Sequence, residues 1–321
     1  MDSLSIFGEP APIQKGLPPR EVQIATKSRL YDPAKFTYGH ELESGDTPRY
    51  LHPPVEWGSW EYSETCSINR NPPYALLPSD PQGISPPMGG EINTVPTLGW
   101  ESQVDRVMNI IEFFRDAGFP PTISCVNDSH IHVRVPGLRN DIEALKNLTR
   151  YIKDNQSEVI SRVHQFELDP TMKGCSTAIS YLKYGGGTPM PEWMSDNILQ
   201  KATSFEDFIG LQCRGKAGDL SVRPNMPLRY AINTYCLKHI DTVEFRVFRA
   251  TLDRKQLESC YRFVELFMDA ALNGGPPVKE ILDAGDWDFP KLVWERELYR
   301  AWETNKYPKS RGKKVRKLVE L

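Results

Sequence analysis

Four segments of this chain each place two polar side chains two residues apart in a strand-like run. They are Glu41/Glu43 in YGHELES, Glu91/Asn93 in GGEINTV, His130/His132 in SHIHVRV and Glu244/Arg246 in TVEFRVF. Successive residues of a strand point to opposite faces, so each pair shares one face. The residues between and beside them, Leu42, Ile92, Ile131, Val133, Val243, Phe245 and Val247, are apolar and suit a core. The pattern predicts a sheet with one apolar face and one face of carboxylates, imidazoles and a guanidinium. Such a face is costly merely as a surface. It makes better sense as the floor of a site for a cation and an anionic ligand.

The rest of the chain supplies the elements such a sheet needs. Residues 36–43 read as the first core strand and 130–135 as another, closed by Pro136-Gly137. Apolar residues at helical spacing predict helices over 100–117, stopped by Gly118, over 140–164, and over 255–273, ending at Gly274-Gly275. Leu228–Cys236 and Thr242–Phe248 read as two antiparallel strands. Strands separated by helical segments, with a hairpin near the end, predict an α+β fold. Residues 46–90 hold nine prolines together with Trp57, Trp60, Tyr50, Tyr62 and Tyr74. Such a stretch excludes a regular helix or a central strand and reads as an ordered loop over the site. The expected organisation is an N-terminal arm over 1–30, one catalytic domain over 31–305 containing the 46–90 insert, and a basic tail over 306–321.

Composition narrows the class. At 321 residues, 39% hydrophobic and 25% charged, the chain can bury a full core as an ordinary globular protein. No stretch approaches the ~18–20 apolar residues of a membrane span. The N-terminus lacks the pattern of a signal peptide, and the six cysteines form no C-x-x-C pair. The expected location is therefore cytoplasmic. The tail carries seven Lys or Arg against one Glu, leaving the remainder at a net of −9. It suits an anionic partner or a solvated end.

Three carboxylates from three strands can hold Mg²⁺ or Mn²⁺, which take oxygen ligands and leave positions for substrate phosphates. A His ligand biases the site towards a softer metal without excluding Mg²⁺. Arg223, Arg229, Arg246 and Arg249 cluster around the expected hairpin, and guanidinium groups bind phosphate in bidentate fashion. Each motif also has a plainer reading. Glu41/Glu43 describes many exposed strand faces, His130/His132 a hydrogen-bonded core pair, and Glu244/Arg246 a same-face salt bridge. The run Gly185-Gly186-Gly187-Thr188 lacks the Lys of a phosphate loop and reads as a hinge.

Taken in order, the segments resemble the amidoligase family within the glutamine-synthetase-like carboxylate–amine ligases. YGHELES is similar to a Gly-x-Glu-x-Glu motif and GGEINTVPT to Glu-x-x-x-x-Pro. DSHIHVRV is similar to His-x-His-Val, LRYAIN to an Arg-Tyr signature ending in Asn, and DTVEFRVFRATLD to Thr-x-Glu-Phe-Arg followed by Thr-Leu-Asp. The resemblance spans residues 38–253. Asp128, where a Gly usually precedes the His pair, and the long 46–90 insert are departures. The resemblance implies a curved antiparallel sheet of the glutamine-synthetase catalytic-domain type, with helices packed on the convex face. It implies ATP and Mg²⁺ or Mn²⁺ as cofactors, and a carboxylate phosphorylated and then attacked by an amine.

The metal would sit on Glu41, Glu43, Glu91, His132 and Glu244. Arg246, with Arg229 or Arg249, would stabilise the moving phosphoryl group, and Glu91 is a candidate for the amine pocket. Arg223, Arg249, Asn233 and His130 would contact the nucleotide. The partners would be a carboxylate and an amine drawn from small molecules, peptides or modified nucleobases. The alternatives are a metal-dependent hydrolase using the His pair, or a non-catalytic binding module that keeps the fold.

Overall fold

The computed structural model describes residues 30–45, 53–61, 89–121, 128–163, 166–168, 196–212, 230–290 and 292–294. Its elements run in the order β1 (Thr37–Gly45), β2 (Gly58–Glu61), β3 (Gly89–Thr94), β4 (Thr97–Leu98), α1 (Trp100–Asp116), β5 (Asp128–Arg134) and α2 (Ile142–Glu158). There follow β6 (Phe166–Leu168), α3 (Asp196–Leu199), α4 (Phe205–Gln212), β7 (Ile232–Asn233), β8 (Val243–Arg249), α5 (Arg254–Asn273), α6 (Val278–Ala284) and β9 (Leu292–Trp294). The main sheet is open and antiparallel, in the order β2–β3–β1–β5–β8–β7, with β4 beside β1. The expected α+β class and antiparallel sheet are therefore present. A separate pair, β6 with β9, is parallel.

One face of the sheet is the core. Leu42, Ile92, Ile131, Val133, Val243 and Phe245 are all buried, as their alternation with polar residues requires, and Val247 is buried as well. α1 and α2 both pack against α5, while α1 also touches β1 and α5 touches β5. Each helix buries a stripe at helical spacing. In α5 the stripe is Leu257, Tyr261, Val264, Phe267, Met268 and Ala271. Asp253 caps its start by accepting from Gln256 N at 3.0 Å. Gly274 closes it at φ 70°, a conformation that glycine adopts without steric cost. Cys260 is buried in this helix.

Several boundaries differ from the sequence reading. The helix expected over 140–164 is regular only to Glu158 and continues as a π turn over Val159–Val163. The first strand of the expected hairpin shrinks to Ile232–Asn233, followed by a 3-10 turn over Tyr235–Lys238. Part of the Pro-rich insert pairs as β2, on the outer edge of the sheet where missing ladder donors are tolerated. The arm over 1–30 beyond its last residue, the Gly185–Thr188 run and the basic tail lie outside the described residues. No helix among those described is long and apolar enough to cross a membrane.

Candidate functional site

The polar pairs meet on the other face of the sheet because the strand register lines them up. His132 stands opposite Gly39 on one side and Glu244 on the other, and Glu244 stands opposite Asn233. Glu41 stands between His130 and Asn93. Ligand atoms of Glu41, His132 and Glu244 all lie within 4.8 Å of one another. Two carboxylates and an imidazole at this spacing need only small side-chain movements to close on a divalent cation at ~2.1 Å.

Neighbouring side chains hold each member in place. His132 Nε2 lies 3.0 Å from Glu41 Oε1, while its Nδ1 is 3.0 Å from Thr242 Oγ1, which fixes the ring rotation. His130 Nδ1 is 3.0 Å from Glu41 Oε2, so one carboxylate is clasped by both imidazoles. Glu244 Oε2 accepts from Asn233 Nδ2 at 2.7 Å and from the Cys236 thiol at 3.2 Å, and its Oε1 accepts from Arg246 Nη1. Among the described residues, the buried Nε2 of His130 has no hydrogen-bond partner. A buried nitrogen in that state is costly, and a bound anionic or metal-linked group would relieve it.

The electrostatics follow from these contacts. Burial alone would raise the Glu41 pKa, but the hydrogen bonds and charges of His130 and His132 hold it well below the usual carboxylate range. Glu244 is likewise held low against its burial, chiefly by the Arg246 charge. Burial would lower the His130 pKa, yet the hydrogen bond to Glu41 raises it above the ordinary value. Burial and the Glu244 charge push the Cys236 thiol far up, so it serves as a hydrogen-bond donor and not as a nucleophile. Both carboxylates are therefore anionic and ready to bind a cation.

A β-bulge shapes the arginine side of the site. Ser129 pairs with Phe248 and Ile131 with Phe245, so Arg246 and Val247 together oppose the single residue His130. The extra residue reverses the alternation of β8 beyond it. Phe248 turns to the core, packing on Phe263 of α5, and Arg249 comes to share a row with Asp128 on the site face. Arg246 and Arg249, both buried, thus reach one face although they are three residues apart.

The structure also aligns residues that the sequence left apart. Glu61 of β2 stands opposite Glu91 of β3, which stands opposite Glu43 of β1, so three glutamates are abreast in three adjacent strands. Glu61 was hidden because its strand is four residues long and sits in the Pro-rich insert. Glu43 is one register step from the trio around His132 and does not belong to it. Thr242 and Cys236 were also missed, since a single hydroxyl or thiol carries no pattern. Arg223 and Arg229 lie outside the described residues. A scan of family models, a search of curated proteins and a search of solved structures return no match to this chain.

Proposed function

We propose that this chain is an ATP-dependent carboxylate–amine ligase of the glutamine-synthetase-like type, forming an amide with release of ADP and phosphate. The observation that carries this reading is the convergence of Glu41, His132 and Glu244 on one sheet face with Arg246 beside them. The open antiparallel sheet, with helices packed on its other face, supports this reading. On this reading the trio holds a divalent cation. Free Cys236 and Cys260 suit the reducing cytoplasm.

The cation would supply charge neutralisation at the phosphate oxygens and Lewis acidity. The residues of the chain would do the rest. Arg246 and Arg249, brought to one face by the bulge, would bind the γ-phosphoryl oxygens as charge moves off the leaving ADP. His130, with Nδ1 held by Glu41, would turn its buried Nε2 to a phosphate or carboxylate oxygen. Asn233 and Cys236 would keep Glu244 turned towards the cation. The attacking ammonium must lose a proton, and Glu91 remains the candidate acceptor.

The test is calorimetric titration with a non-hydrolysable ATP analogue, with and without Mg²⁺, beside Glu244→Gln and Arg246→Ala. Mg²⁺-dependent binding, lost in both variants, is the expected result. Metal binding with no nucleotide binding would move the assignment to a hydrolase. Neither kind of binding would leave a non-catalytic module.

A further inference from the structure

A chain of hydrogen bonds runs through the core directly beneath the site. His40 lies on the helix side of β1, fully buried, between Tyr261 of α5 and Ser129 of β5. Its Nδ1 is 2.7 Å from Tyr261 Oη, and its Nε2 is 2.7 Å from Ser129 Oγ. Gln103 of α1 donates its amide to Thr94 Oγ1. Thr97 donates to Gln103 Oε1 at 2.7 Å, which fixes the amide orientation, and Thr94 Oγ1 accepts from His40 N at 2.8 Å. One ring nitrogen of His40 thus donates and the other accepts, so both Tyr261 and Ser129 are engaged.

Every strand residue in this chain is the immediate neighbour of a residue on the site face. His40 precedes Glu41, Ser129 precedes His130, and Thr94 follows Asn93. Apolar side chains would fill the same space, and burying polar groups yields little net stability even when all are paired. What a satisfied polar chain supplies is specificity, because its members fit one stagger of the strands and no other. A slip of one residue would carry Glu41 and His130 into the core.

We propose that Tyr261, His40, Ser129, Gln103 and Thr94 form a positioning device that sets the relative stagger of β1, β3 and β5, and thereby the spacing of Glu41 and the His pair. Tyr261 and Gln103 anchor it to α5 and α1, so two helices on the core face hold the geometry of a site on the other face. The metal readout of this role rests on the cation reading of Glu41, His132 and Glu244. A metal-free readout does not.

The experiment compares Tyr261→Phe and Ser129→Ala with Thr149→Val, which removes an equally buried hydroxyl bonded to Leu145 O within α2, a helix that contributes nothing to the site. Mn²⁺ affinity is measured well below the unfolding temperature of each variant. Tyr261→Phe and Ser129→Ala should weaken binding by ~10–100-fold, the range for groups that orient metal ligands. Thr149→Val should lower the melting temperature and leave the affinity unchanged. Affinities within twofold of wild type in all three variants would overturn the proposal.

Should the wild type bind no Mn²⁺, the cation reading fails and the second measurement decides. Histidine ring signals in the metal-free NMR spectrum of Tyr261→Phe should shift or broaden for His130 and His132, although Tyr261 bonds to neither. Movement of the His40 signal alone would overturn the proposal.

Discussion

Phe245 and Phe248 lie three residues apart in one strand, yet both rings pack on α5, against Phe267 at 5.4 Å and Phe263 at 6.3 Å respectively. Strict alternation would put one of them among the charged groups of the site. The bulge at Arg246–Val247 resolves the conflict and turns Arg249 to the site face in the same step.

Phe248→Ala should therefore behave as a core truncation although the residue ends a site-bearing strand. Its ring meets Phe263 and Phe289, and the cavity left should cost about 3–5 kcal/mol in urea denaturation. A loss below about 1 kcal/mol would mean that the ring does not fill the core.

Cys236 should prove inert as a nucleophile and useful as a donor. Iodoacetamide at pH 8, with modification mapped by mass spectrometry, should leave it largely unlabelled in the folded protein, because its thiol is held far above the ordinary value. Cys236→Ala should weaken Mn²⁺ binding by about tenfold by leaving Glu244 one donor short, and Cys236→Ser should retain most of it. Equal binding by the alanine and serine variants would remove the thiol from the site.

Acid should destabilise the fold well before ordinary carboxylates titrate. Burial and the nearby His130 charge push the His40 pKa from 6.5 down to about 3. Between those values the unfolded chain takes up a proton that the folded chain refuses. Stability from this group is thus complete above the unfolded pKa and is lost as pH falls towards the folded one, with a slope approaching ~1.4 kcal/mol per pH unit. Glu41 and Glu244, held low, add the same sign below about 4.5. His130, held high, works against them: its contribution is present at low pH and lost as pH rises through its folded value. Urea midpoints should fall as pH is lowered from 6.5, and His40→Phe should flatten that dependence. A flat wild-type profile between pH 6.5 and 5 would contradict it.

Much of this was legible because sheet and helix patterns are local. Glu41 and Glu43, or His130 and His132, announce a shared face by spacing alone, and the stripe of α5 announces a buried helix. The trio needed only the further fact that β5 lies between β1 and β8. What escaped depends on relations that no window of sequence contains. The bulge at Arg246 is visible only against its partner strand. Glu61 acquires meaning only from standing opposite Glu91. The polar residues beneath the sheet, His40 and Ser129, occupy positions where alternation leads one to expect apolar side chains, and their partners Gln103 and Tyr261 sit on distant helices.

The bond between His40 and Tyr261 joins positions 221 residues apart. During synthesis, β1 is made early and waits for most of the chain before its helical anchor emerges. Closing so long a loop is slow, and such contacts come late in folding. A cation cannot nucleate this fold, because the strands that would ligate it acquire their stagger only when α5 docks. Mn²⁺ should thus slow unfolding without speeding refolding, and a nascent chain cut short of α5 should have β1 but no site.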